Sequence, residues 1–185
     1  MKTLVQYVND YIYEAFRINK DTKIDKHIYH PETTWELKNL VKKLIKERGK
    51  DADLNDIDVS EISDMSDLFS GLDIRNIDIS EWDVNNVINM DSMFDGCENF
   101  NSDLSKWNVS NVENMYMMFN LCKKFNSDLS NWDVSNVTSM NWMFYGCTNF
   151  SFDLSSWDVS NVKYMAGMFY GCESLQNIPD WYYKE

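Results

Sequence analysis

Apolar residues recur along this chain at a spacing far longer than a helix or strand period. From each of Trp82, Trp107 and Trp132 the order is Trp-x-Val-x-x-Val-x-x-Met-x-x-Met-Phe-x-x-Cys-x-x-Phe-x-x-x-Leu, and the next Trp follows 25 residues on. Trp157 opens a fourth copy that keeps the order through Cys172 and then slips. A fifth, degenerate copy lies upstream in phase, with Ile57, Met65, Phe69, Leu72 and Ile79 at the Trp, Met, Phe, Cys and Leu positions. Polar Asn, Ser and Asp fill the positions between. A unit this small cannot bury an apolar face alone, whereas stacked copies can, each touching only its neighbours.

Within a unit, Met90, Met93 and Phe94 stand at i, i+3, i+4, as do Met115, Met118 and Phe119. That spacing predicts a short helical turn with three side chains on one face, ended by Gly96, Gly146 or Gly171. Phe100–Leu104 and Trp107–Val109 read as short extended segments bent at Ser and Asn, whose side chains bond nearby backbone. Equivalent residues should then form columns: Trp82, Trp107, Trp132 and Trp157; Met90 and its equivalents; Cys97, Cys122, Cys147 and Cys172; and Asn86, Asn111, Asn136 and Asn161. At about 4.8 Å per coil, five coils make a rod roughly 25 Å long.

The repeat resembles that of the BspA-like surface-protein family, whose tandem units read W-D-V-S-x-V-x-x-M-x-x-M-F-x-G-C-x-x-F-N-x-D-L-S. The resemblance covers residues 57–181. It implies a leucine-rich-repeat-like solenoid and a binding role, often in adhesion. The expected fold is therefore an α+β repeat: a short solenoid of five 25-residue coils, with a helical N-terminal cap over 1–56, the array over 57–181 and a tail at 182–185. The cap rests on two patterns. Residues 3–17 have Leu4, Val8, Tyr11, Ile12 and Phe16 on one side. Pro31-Glu32-Thr33-Thr34 reads as a helix start, followed by Trp35, Leu37, Leu40, Val41, Leu44 and Ile45 up to Gly49. At the other end Pro179 cannot donate to a further strand, and Trp181, Tyr182 and Tyr183 can lie over the last coil.

Charge sharpens this division. Residues 1–50 hold 11 Lys+Arg against 7 Asp+Glu, a net of +4; residues 51–185 hold 6 against 23, a net of −17; together they give −13. Phosphate backbones should be repelled, so direct nucleic-acid binding is not expected. No apolar run nears the roughly 20 residues that span a bilayer. The first twenty residues are interrupted by Gln6, Asn9, Asp10 and Glu14, unlike a secretion signal, so a cytoplasmic location with Cys as thiols is expected.

Little in the chain points to chemistry. Zinc ligands come in close Cys pairs, but here each gap is 25 residues, which reads as a ladder of buried thiols. His27 and His30 lack a third ligand. The columns Asp78, Asp103, Asp128, Asp153 and Asp83, Asp133, Asp158 suggest calcium, yet neither an EF-hand loop nor a glycine-rich nonapeptide is present, and turn capping is the better account. No nucleophile–base pair can be named. The expectation is no enzyme, no cofactor and no metal.

Variable columns are the better guide to function, because scaffold columns are uniform. Asp91, Tyr116, Asn141, Ala166 is one; Ser92, Met117, Trp142, Gly167 another; Asp95, Asn120, Tyr145, Tyr170 a third; Asn89, Asn114, Ser139, Tyr164 a fourth. Trp142, Tyr145, Tyr164, Tyr170 and Tyr116 become the candidate binding residues, since exposed Trp and Tyr are enriched at hot spots. The expected function is a protein-binding module with an aromatic patch in an acidic field. The rival is an acidic inhibitor, of phage origin, that mimics nucleic acid and blocks a host nucleic-acid-binding enzyme.

Overall fold

A computed structural model describes residues 27–183; the helix expected over 3–17 lies outside the described residues. Among the described residues one α-helix, α1 (Thr34–Arg48), precedes a stack of coils, and a 3-10 turn (Asp180–Tyr183) closes it. Thr33 stays extended and its hydroxyl accepts the Glu36 N–H at 3.2 Å, which fixes the start of α1. Gly49, at φ 94°, ends it. Leu37, Val41 and Leu44 are buried, while Trp35 points away and is 74% exposed. Trp35 therefore does not belong to the apolar face on which the periodicity placed it. Arg48 holds Asp56 through two hydrogen bonds of 2.8 Å, tying the helix end to the stack.

The 25-residue register is explicit in the backbone. Asp64, Asn89, Asn114, Ser139 and Tyr164 are linked in series by parallel bridges, and Asp53 pairs likewise with Asp78. Inside the stack the Trp, Val, Met, Phe and Cys columns merge into one apolar cluster. Phe94 stacks on Phe119 at 5.5 Å, and Phe119 on Phe144 at 5.6 Å. Trp82 stacks on Trp107 at 6.5 Å with rings nearly parallel, 4° apart. Each indole N–H also donates to a Leu or Ile carbonyl of the preceding coil, as Trp132 Nε1 does to Leu104 O at 3.1 Å. Asn86, Asn111, Asn136 and Asn161 each donate from Nδ2 to a carbonyl of the preceding coil at 2.7 Å.

Two expectations about the coil are corrected. First, the Met-Met-Phe segment is not a helical turn. Met93 N–H bonds Met90 O and Cys97 N–H bonds Phe94 O, giving separate four-residue turns. Ser92, Met117 and Trp142 take positive φ of 54°, 51° and 55°, which interrupts any helix. Second, among the described residues no strand forms and one α-helix is present, so they make a mostly irregular repeat rather than an α+β one. The reason is the direction of the bonds. A sheet exchanges N–H and C=O in both senses between partners. Here Met90, Ser92, Phe94 and Gly96 all donate to the next coil, at Asn114, Tyr116, Met118 and Asn120, while the return bonds lie only at the two ends of this segment, from Glu113 and Asn114 to Ile88 O and from Lys124 to Glu98 O, so each pair of coils makes an isolated bridge and not a ladder. On the Phe100 side, Asn101 Oδ1 and Ser127 Oγ take the inter-coil bonds that backbone carbonyls would take in a ladder.

The ends close by imitation. Thr34 Oγ1 donates to Asp64 O at 2.7 Å, replacing the N–H that a preceding coil would supply. Trp181 stacks on Trp157 at 6.4 Å and donates to Leu154 O at 3.0 Å, so the 3-10 turn adds one more indole to the Trp column. Tyr182 meets the Phe169 ring edge-on at 5.3 Å.

Candidate functional site

The variable columns all fall on the turn segment of each coil, where the one-way bonds run. Their side chains are set by the alternation of left-handed residues. Asp67, Ser92, Met117, Trp142 and Gly167 share one such position, and Gly71, Gly96, Leu121, Gly146 and Gly171 share the other. A left-handed residue turns its side chain out of the apolar cluster, which explains a column that accepts Asp, Ser, Met, Trp and Gly.

The candidate aromatics fall into two contacts and one isolated ring. Tyr116 meets Trp142 edge-on at 5.5 Å, 78° between planes. Tyr145 stacks on Tyr170 at 5.2 Å. Tyr164 is 60% exposed and Tyr170 69%. Trp142 is 39% exposed, because its indole also covers Gly167 of the next coil. Leu121, which the sequence reading did not single out, belongs to the same surface: it is 38% exposed and its side chain covers Gly146. The signal was present as the single non-Gly in a Gly column.

Polarity changes along the stack. The first two coils carry Asp64, Asp67, Asp91 and Asp95 at these positions, and the last three carry Tyr116, Trp142, Tyr145, Tyr164 and Tyr170. The acidic side chains are fixed rather than loose: Asp64 Oδ1 accepts from Asn89 Nδ2 at 3.1 Å and Asp95 Oδ1 from Asn120 Nδ2 at 2.8 Å.

The other candidates have structural partners. Each Cys Sγ lies 3.0–3.1 Å from a Phe carbonyl of the preceding coil, as Cys122 does from Phe94 O. Burial pushes the Cys97 thiol up to about 12 and those of Cys122 and Cys147 well above their usual range. Cys172, in the last coil, is only partly covered, and burial still lifts it to about 12. The Asp columns cap turns: Asp103, Asp128, Asp133 and Asp153 each accept the N–H two residues on at 2.9–3.1 Å. Bonds from Ser105 and Ser135 hold the Asp103 and Asp133 carboxyls below their ordinary value. His27 and His30 meet edge-on at 6.3 Å, and His30 Nδ1 is 3.4 Å from Asp58 Oδ2. Among the described residues no group of three His, Cys, Asp or Glu is placed to hold a metal ion, and no helix is long and apolar enough to cross a membrane.

A stack of one repeated unit, with uniform columns inside and variable ones on the turn segment, defines a tandem-repeat protein. The chain belongs to the family described as Mycoplasma protein of unknown function, DUF285, whose model matches residues 35–147 and again 110–185. No curated protein and no solved structure matches it.

Proposed function

We infer that the chain is a non-enzymatic protein-binding solenoid of leucine-rich-repeat type, akin to the BspA-like arrays, which engages its partner through the aromatic surface of its last three coils. One observation carries this reading. Trp142, Tyr164 and Tyr170 are held exposed on rigid backbone, where burial gives them little folding benefit. The neighbouring Asp64, Asp67, Asp91 and Asp95 favour a partner whose apolar contact is flanked by Lys or Arg. The carboxylates of Asp64 and Asp95, held by Asn89 and Asn120, need little reordering on binding.

The test is capture from the native host's lysate at low and high salt, with the unaltered chain beside Trp142→Ser and Tyr170→Ser. A partner held by the aromatic surface persists at high salt and weakens about thirtyfold or more in each variant, as for a hot spot. Loss of binding with salt and indifference to both variants would move the site to the Asp columns and favour the nucleic-acid-mimicking inhibitor.

A further inference from the structure

The one-way bonding has an unfilled end. In each of the first four coils, four N–H groups at alternate residues donate to the next coil: Met140, Trp142, Phe144 and Gly146, for example, to Tyr164, Ala166, Met168 and Tyr170, at 2.7–3.1 Å. The equivalent donors of the last coil are the N–H groups of Met165, Gly167, Phe169 and Gly171. Among the described residues none of these four has an acceptor. The closing 3-10 turn extends the Trp column and covers the Phe169 ring, but it supplies no carbonyl to this row. Gly167 and Gly171 are left-handed, at φ 66° and 78°, and this alternation aims all four N–H groups the same way.

We propose that this row is a docking edge for a polypeptide segment of another protein, which supplies backbone carbonyl oxygens at alternate residues, as the turn segment of a further coil would, and lays its side chains against Tyr164 and Tyr170. The proposal rests on the protein-binding reading above and adds how the partner is held. Three observations select the occupant. Every equivalent row in the stack is filled by a row of peptide carbonyls, so the geometry is matched to that acceptor. Tyr164 and Tyr170 are the two most exposed of the candidate aromatics, and both belong to this coil. A second copy of the chain fits less well: its last coil offers the same donors, and on its first coil the leading carbonyl of the matching row, Asp64 O, is already taken by Thr34 of α1. Strand addition to an open edge is an established mode of peptide recognition, with backbone bonds giving affinity and side-chain contacts giving specificity.

The probe is a synthetic, end-blocked peptide copying Lys163–Gly171, one of the four segments that fill such a row in the stack. It is added at millimolar concentration to the full chain, and amide hydrogen exchange is read residue by residue by NMR. The expected result is slowing by about tenfold or more at Met165, Gly167, Phe169 and Gly171, with Glu113 and Lys163 unchanged. A peptide that leaves the four amides unprotected overturns the proposal. If Trp142→Ser still weakens lysate capture in that case, the protein-binding reading stands without this edge. Protection already present in the lone chain at low concentration would show that the edge is covered from within. Protection that grows with protein concentration would make a second copy the occupant. Either outcome also overturns the proposal.

Discussion

The indole of Trp142 lies over the Cα of Gly167 one coil later, so close that a Cβ on Gly167 would stand 2.6 Å from Trp142 Nε1. The two residues occupy the same column and the same left-handed region, at φ 55° and 66°. One fills the space that the other leaves.

Gly167→Ala should therefore cost about 2–3 kcal/mol, part from the left-handed backbone and part from overlap with the indole. Combining it with Trp142→Ser should recover about 1–2 kcal/mol of that loss, the coupling expected of residues in contact. Trp142→Ser alone should cost about 1 kcal/mol, since the ring is only partly buried. Urea titration of the two single variants and the double variant closes the cycle. Additive costs would mean that the indole does not rest on Gly167 in solution.

Trp132 stands at the centre of the Trp column, buried and bonded to Leu104 O. Trp132→Ala should lose about 3–5 kcal/mol through the cavity it opens, enough to unfold a short array. Trp132→Phe keeps most of the ring and removes the N–H, leaving Leu104 O without its donor, for a loss of about 1–3 kcal/mol. Thermal unfolding followed by tryptophan fluorescence separates the two. Equal losses would show that the bond, not the packing, holds the column.

The thiol ladder predicts an alkaline limit. Cys97 is pushed up to about 12 by burial, from an ordinary value of 9.0. Below pH 9 the thiol is neutral in both folded and unfolded chains and has no effect. Between about 9 and 12 only the unfolded chain ionises, so stability falls as pH rises, by up to about 1.4 kcal/mol per pH unit for each buried thiol. Stability measured from pH 8 to 11 should show this slope, and Cys97→Ala should reduce it. A thiol reagent at pH 8 should modify Cys172 first and the three buried thiols only on unfolding.

The Asp turns predict an acid limit of opposite sense. Asp78, Asp103 and Asp133 titrate below the ordinary 3.8, chiefly through bonds from Asn55 and Ser80, from Ser105 and from Ser135 respectively. Their contribution is complete above that value and is lost as pH falls through the lowered one, because the unfolded chain takes up protons first. The unfolding midpoint in urea should stay level from pH 7 to 5 and decline below 4. Asp103→Asn, which keeps an acceptor oxygen without the charge, should flatten that decline.

Much of this architecture was legible in the sequence. The period, the buried Trp, Met, Phe and Cys columns and the turn-capping Asp residues follow from side-chain identity repeated in register, and side chains are what a sequence displays. Local backbone was less legible. The i, i+3, i+4 spacing of Met90, Met93 and Phe94 suits a helix and equally a run of tight turns, and only the positive φ of Ser92 separates them. Ser92, Met117 and Trp142 hold that conformation without glycine, so the usual marker was missing. The contact of Leu121 with Gly146 was hidden for the same reason. The unfilled N–H row of the last coil leaves no trace in residue type, because every non-proline residue carries that donor.

The sense of the inter-coil bonds also bears on how such a chain can change length. Each coil receives from its predecessor what it gives to its successor, so an in-frame gain or loss of 25 residues leaves every junction chemically complete. Copy number is then free to drift through recombination between near-identical segments, with α1 and the Trp181 turn kept as fixed termini. The restriction is steric. A coil that carries Trp at the Trp142 position must be followed by one with glycine there, and a coil with Leu at the Leu121 position by one with glycine at its own equivalent. Removal of residues 132–156 would set Leu121 against Gly171, an allowed pair, whereas a duplicate of the same segment would set one Trp142 indole against another. Expansion and contraction of the array are therefore unequal, and the coils bearing Leu121 and Trp142 are the ones least able to multiply.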